Sequence, residues 1–437
     1  MGDAFTAAPG FRSWGGAARP LQHVARPRFA DQLPGLLRQA PAGGALAVGL
    51  ARSYGDSGLN SAGGLIDMSG LDRLIVFDAE NGVVRAEAGL SLEALLKLLA
   101  PRSMFTTTTP GTAQVTLGGA VANDVHGKNH HSAGAFGCGV RRLGLLRTTG
   151  EQMELAPGDP LFAATIGGLG LTGVITWVEL QLAQITGPYI DNEDVPFGDL
   201  GGFFDLAAES AGAWEHTAAW IDVGRGRGIF SRGAWTSQGE GPQRKGRLSA
   251  PIEPPVSPLN PLSLRVFNEV VFAAKSMGVR RRTVPYSAAL HPLDSVAGWN
   301  RLYGRKGFWQ HQSVVPAPSA RDAVAEMLGA VAKAGEGSFL SVLKTFGERA
   351  SPGLLSFPRG GATLAMDFPA RGPGVLKLMD RLDAIVREAG GRIYAAKDGR
   401  MSADMMRAGY PRLDEFLQHL DPGLSSDFAR RTLGVSA

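Results

Sequence analysis

Cysteine is nearly absent from this chain. With Cys138 alone, no intrachain disulfide can form, and neither a cysteine-rich zinc site nor an iron–sulfur cluster can be built. The same scarcity fits a reducing compartment. Long apolar runs are missing as well, since no stretch of about 18 apolar residues exists to span a membrane. The first 20 residues, MGDAFTAAPGFRSWGGAARP, lack the apolar core of a signal peptide. A cytoplasmic protein is expected, with peripheral contact to the inner membrane face as the furthest membrane involvement. Net charge is small too: Lys+Arg 44 against Asp+Glu 40 leaves +4 over 437 residues, too little for a nucleic-acid partner despite a pI near 9.3. No internal repeat is visible.

What remains is an ordinary globular composition, 44% hydrophobic and 19% charged, with length for two or three domains. Residues 45–50 read as a short buried strand. Asn81-Gly82, between apolar runs at 74–77 and 83–87, is a hairpin signal. Ser91 then caps a predicted helix whose Leu92, Leu95, Leu96 and Leu99 form one stripe. The run VITWVELQL, from Val174, alternates as a strand. The pattern is α+β, with a first domain boundary near Gly187. Beyond it, residues 307–315, 339–346 and 363–368 read as three strands of one sheet, with a helix over 320–334. Five prolines from Pro251 to Pro261 exclude a packed helix or central strand there. Residues 262–277 follow a helical pattern ending in Arg280, Arg281 and Arg282. Residues 244–282 are therefore expected to form a mobile surface segment, exposing Leu262, Val266, Phe267 and Val270.

Two glycine-rich loops carry the chemistry: GLARSYGDSGLN at 49–60 and TPGTAQVTLGGAVANDVHGKNHHSAG at 109–134. Glycine lets a backbone turn sharply or press against a ligand, and His126, Lys128, His130 and His131 follow around Gly127. A glycine-lined surface running into a titratable cluster suits a large, flat, phosphate-bearing cofactor. Three look-alike motifs fit less well. Gly168, Gly170 and Gly173 spell GxGxxG, but the dinucleotide fingerprint needs a helix next, and a strand pattern follows. A glycine turn against the cofactor ring is the better reading. Gly55-Asp56-Ser57-Gly58 is similar to a protease nucleophile loop, yet only His23 precedes it. His126 and His130 have zinc-helix spacing, but Gly127, Lys128 and Asn129 argue against a helix, so no metal is expected.

The two loops, with GFWQHQSVVP at 307–316, GGRIYAAKDGRM at 390–401 and SSDFARRTL at 425–433, resemble the decaprenylphosphoryl-ribose 2'-oxidases within the vanillyl-alcohol-oxidase superfamily. The resemblance implies a PCMH-type FAD-binding domain at 1–186, completed by 392–437, and a substrate domain at 187–391 on an antiparallel sheet. It implies non-covalent FAD and oxidation of a secondary hydroxyl of a polyprenyl-phosphoryl sugar, with a short-chain reductase completing an epimerisation. Cofactor contacts are implied at Ser53, Tyr54, Gly55, Asp56, Gly111, Thr112, Gly118, Gly119, Asn123, His126, Gly127, Asn129, Ile175 and Tyr394. The amides from Ser53 to Asp56 are expected to form an anion nest for the diphosphate. Trp220, Gln310, Gln312, Lys344 and Lys397 fall in the substrate pocket. Ala365, Thr363 and Leu290 depart from the cysteine, asparagine and tyrosine of many members, which bears on the sugar and lipid. Lys397 and His126 are both candidate bases: Lys397 must be neutral to serve, and unperturbed imidazole titrates near working pH. A soluble aldonolactone- or alditol-type oxidase is the alternative function.

Overall fold

The computed structural model describes residues 4–239, 248–250, 252–255 and 257–435. The chain is a two-domain α+β protein built on three main sheets. The first is small, with Gly64–Asp67 lying between His23–Ala25 and Ala45–Val48 and parallel to both. The second is antiparallel and centred on Val174–Gln184, which pairs with Val83–Glu87, Val140–Leu146 and Met104–Thr106. Here the expected hairpin forms: Gly82 adopts the left-handed φ of +62° that its turn requires, joining Leu74–Asp78 to Val83–Glu87. Ser91 accepts the Ala94 amide to start the helix Leu92–Leu99, and the four leucines of the stripe, Leu92, Leu95, Leu96 and Leu99, are all buried. Val174–Gln184 is a strand, so the GxGxxG run ahead of it opens no helix.

The third sheet has eight strands in the order Arg280–Pro285, Tyr189–Phe197, Gly228–Thr236, His216–Ile221, Ser341–Phe346, Gly361–Pro369, Phe308–Pro316 and Arg392–Ile393. Its neighbouring strands pair antiparallel. The three strands expected from 307–368 are adjacent in it, and the helix between the first two spans Ala320–Lys333. That helix packs with Leu200–Ser210 and Pro373–Glu388 over one apolar core. Strand alternation then sorts side chains to opposite faces. On Phe308–Pro316, His311 turns to Asp383 of the helix Pro373–Glu388 at 3.1 Å, while Gln310 and Gln312 turn the other way.

Within the stretch 244–282 the helical pattern expected from residue 262 is realised. Asn260 caps a 15-residue helix, Pro261–Lys275, through a reciprocal bond with Ser263. Arg280–Pro285 joins the large sheet as an edge strand, with Arg281 paired to Asp191 and Arg282 to Asp194 at 3.1 Å. The basic triplet thus finds two of its counter-ions inside the protein. Residues 244–247 lie outside the described residues.

After Arg392–Ile393 the chain returns to the first domain. Gly423 accepts from the Ala45 amide, Ser425 donates back to Ala45, and Asp427 binds the Ser61 amide at 2.9 Å. Arg431 reaches both Asp56 oxygens, at 2.7 and 2.9 Å, and Asp398 at 3.0 Å.

Candidate active site

A cavity of about 1160 Å³ lies between the glycine loops and the large sheet. That exceeds the roughly 300–1,000 Å³ typical of a pocket for one drug-sized ligand, so there is room for a cofactor and a substrate. The first domain contributes Ser53, Tyr54, Gly111, Thr112, Gly118 and Gly119 to its wall. Asn123, His126, Gly127 and Ile175 extend that side, and Gly170 and Gly173 from the glycine turn join them. The substrate domain and the returning chain add Trp220, Gln312, Lys344, Tyr394 and Lys397. The three departures, Leu290, Thr363 and Ala365, also face this space.

Four residues expected at the site are off its wall. A Cβ at Gly55 would run into the Asp398 carbonyl, so this glycine serves close packing of the returning chain. Asp56 is held by Arg431. Asn129 donates to the Thr107 carbonyl at 2.8 Å and borders a separate, smaller cavity. Gln310 donates to Asp367 at 2.5 Å. The expected nest also differs, because the Tyr54 amide donates to the Ala396 carbonyl at 2.9 Å and is not free for a diphosphate. Thr112 gives its hydroxyl to Asp294 at 2.6 Å, which ties the 110–113 loop to the substrate domain.

Two features of the first-domain wall fit FAD. A Cβ at Gly111 would meet nothing within 4 Å, so its bare backbone leaves the cavity open to a flat ligand. Ser57 is buried on the wall, and its Oγ has no hydrogen-bond partner. A buried hydroxyl left unbonded is unfavourable, and a ligand acceptor would satisfy it. The sequence points to Ser53 through Asp56 in this loop, and only the fold singles out Ser57 beside them.

At the junction of the domains the titratable groups are strongly perturbed. Lys397 sits 3.5 Å from the centre of the Tyr54 ring. Burial pushes its amine down to about 7, with Lys344 adding to the fall and Asp367 opposing it. Asp367 is the residue that sequence reasoning missed altogether. Its carboxylate accepts from Gln310 and, at 3.4 Å, from Tyr303, and burial pushes it up to about 7. The available signal was an acid inside the otherwise apolar strand GATLAMDFP. His126 is packed between Phe346, Phe357 and Tyr394, with ring centres 4.9, 5.5 and 5.3 Å away. Burial, with Lys344 next, holds its imidazole well below the ordinary histidine range. Gln312 donates to its Nε2 at 3.0 Å, leaving the proton on Nδ1, which has no partner. Tyr394 donates to the Asn123 carbonyl at 2.9 Å and stacks on Phe357. His130 is buried against Phe346, and His131 bonds the Trp214 carbonyl.

Residues 21–156 match the FAD binding domain family. The chain is 36% identical over 416 residues to the decaprenylphosphoryl-β-D-ribose oxidase of Mycolicibacterium smegmatis, covering 89% of each chain. It is 33% identical over 373 residues to an uncharacterized protein of Streptomyces coelicolor, covering 78% of this chain and 99% of that one. An L-gulono-1,4-lactone dehydrogenase of Mycobacterium tuberculosis matches at 32% over 164 residues, 37% of this chain and 38% of that enzyme. The family match spans both glycine loops, and the match to the M. smegmatis oxidase covers 89% of each chain. That extent means the chain belongs to the decaprenylphosphoryl-β-D-ribose oxidase family of FAD-dependent oxidoreductases acting on CH–OH groups.

Proposed function

We propose that this enzyme oxidises a secondary hydroxyl of a polyprenyl-phosphoryl sugar to the ketone, holding FAD without a covalent link. The carrying observation is Lys397, a half-buried amine on the wall of the same cavity as the glycine loops. FAD, when bound, supplies the two-electron acceptor. The chain's own task is to orient the sugar, exclude water and take the hydroxyl proton. Lys397 suits the last role, because a base works best with a pKa near the working pH, and burial brings this amine to about 7. His126 is too weakly basic for it, because burial holds its imidazole well below the ordinary histidine range. Asp367 then acts on Lys397 by opposing the loss of its proton, while Gln310 and Tyr303 keep the carboxylate in place.

The lipid carrier is read from the helix Pro261–Lys275. Phe267 and Val271 face the cavity, and Phe267 packs on Phe339 with ring centres 4.8 Å apart. Leu262, Val266 and Val270, spaced four residues apart, are 71%, 55% and 61% exposed. A polyprenyl chain leaving the cavity along this face, or a membrane surface met by it, would cover apolar area that otherwise stays in water. Among the described residues no helix is long and apolar enough to cross a membrane. A soluble alditol- or lactone-type oxidase leaves this exposed face without a role. The keto product would need a reductase to return an inverted alcohol, and a short-chain reductase is the proposed partner.

Two measurements test the proposal. Acid precipitation should release the flavin into the supernatant, whereas colour in the pellet would show a covalent link. Borodeuteride trapping after turnover of a prenyl-phosphoryl riboside should place deuterium on a single ring carbon. Recovery of unlabelled sugar would show that no ketone forms.

A further inference from the structure

Lys128 and Lys344 present an unusual pair of charges to the cavity. Lys128 follows Gly127 and donates from Nζ to the Ala289 carbonyl at 2.6 Å. Lys344, on Ser341–Phe346, donates from Nζ to the Gly127 carbonyl at 3.3 Å. Each ammonium has three donors, and each spends one of them on a neutral carbonyl. Both line the cavity wall. Among the described residues neither makes an ion pair with a carboxylate. Asp194, the acid whose field reaches Lys128, is already bonded by Ser231 at 2.5 Å, by Asn192 at 3.1 Å and by Arg282 at 3.1 Å. The charged neighbour that Lys344 feels is Lys128 itself. Two half-buried amines, repelling each other and facing one space, are an unfavourable arrangement for an empty protein. An anion between them would relieve both the desolvation and the repulsion.

We propose that Lys128 and Lys344 form an anion subsite that holds the phosphate of the lipid-linked sugar. The inference rests on the substrate reading given above. It places the phosphate between the deep end of the cavity, where Lys397 stands, and the side where Ala289, Leu290 and the Phe267 face of the apolar helix line it. A sugar–phosphate–prenyl chain meets those surfaces in that order. The same phosphate chemistry is carried by the diphosphate of FAD, and the experiment separates the two sources.

The test uses the FAD-loaded enzyme, wild type and Lys128→Met, with farnesyl-phosphoryl ribose and with farnesyl riboside lacking the phosphate. Loss of a charge-assisted contact should raise KM for the phosphorylated compound about 10- to 100-fold. Flavin content, kcat and turnover of the phosphate-free riboside should be unchanged. Lys128→Arg, which keeps the charge, should recover most of the loss. Equal losses on both ribosides would overturn the subsite, because they would mark a merely structural lysine. Loss of flavin from a well-folded Lys128→Met protein would also overturn it, assigning the anion to the cofactor. If neither riboside reduces the wild type, the substrate reading fails, and calorimetry with inorganic pyrophosphate decides the subsite alone. Binding to wild type that Lys128→Met abolishes would keep it, and no binding to wild type would remove it.

Discussion

Replacing Arg431 with alanine should loosen both the fold and the site. Arg431 is the cation between two buried acids, Asp56 and Asp398, and Asp398 directly follows Lys397. Truncating one partner of a buried ion pair costs about 3–5 kcal/mol, because the other charge is left without compensation. Two acids would be stranded here, which favours the upper part of that range. The Arg431 side chain is 26% exposed, however, so solvent screens part of the interaction and about 3 kcal/mol is the working value. For a unit of this size that corresponds to a fall in Tm of roughly 6–12 °C. Thermal release of the flavin, followed by its fluorescence, is the assay. The deficit should narrow as pH falls through the acidic range, since a neutral Asp398 carboxyl needs no counter-charge. Burial already pushes the Asp398 carboxyl up, so its protonation relieves the variant more than the wild type. Arg431→Lys keeps the charge but loses the planar fork, and should recover only part of the loss. A Tm for Arg431→Ala indistinguishable from wild type at neutral pH would refute this account of how the returning chain is latched.

Lys397→Met should keep its flavin yet lose about 10²- to 10⁴-fold in the rate of anaerobic flavin reduction; a near wild-type rate would remove Lys397 from the chemistry. In the wild type that rate should rise with pH through about 7, since a depressed lysine is protonated below its pKa and becomes a base above it. Asp367→Asn should move this limb to lower pH, because the carboxylate favours the protonated amine; an unmoved limb would separate Asp367 from Lys397. Exchanging Leu262, Val266 and Val270 for aspartate should weaken binding to anionic vesicles and to prenyl-linked substrate with flavin content unchanged, and unaltered binding would leave the exposed face without its proposed role.

Local chemistry in the sequence anticipated much of the fold. The Asn81-Gly82 turn, the Ser91 cap with its leucine stripe, and the strand after Gly173 are written in neighbouring residues. The structure adds what only distant parts of the chain can decide. Asp56 reads as a loop acid in a glycine turn until Arg431, 375 residues away, supplies its partner. The Tyr54 amide is claimed by Ala396, again from the far end of the chain. Periodicity marks Asp367 as one polar residue in an apolar strand, and its meaning depends on Gln310, Tyr303 and Lys397 arriving from other elements. The helical pattern from residue 262 is likewise local, and Pro261 fits its first turn, where a missing N–H costs little. Arg280 to Arg282 looked like a free basic cluster for the same reason that Asp56 looked unpaired: their acids, Asp191 and Asp194, lie on a neighbouring strand.

The most direct measurement of the central claim is the visible spectrum of the anaerobic enzyme on addition of a prenyl-phosphoryl riboside. The account predicts a yellow protein whose flavin absorbance bleaches with this compound, and not with free alditols or aldonolactones at the same concentration. An unchanged spectrum with the lipid-linked sugar, or equal bleaching by the free sugars, would contradict it.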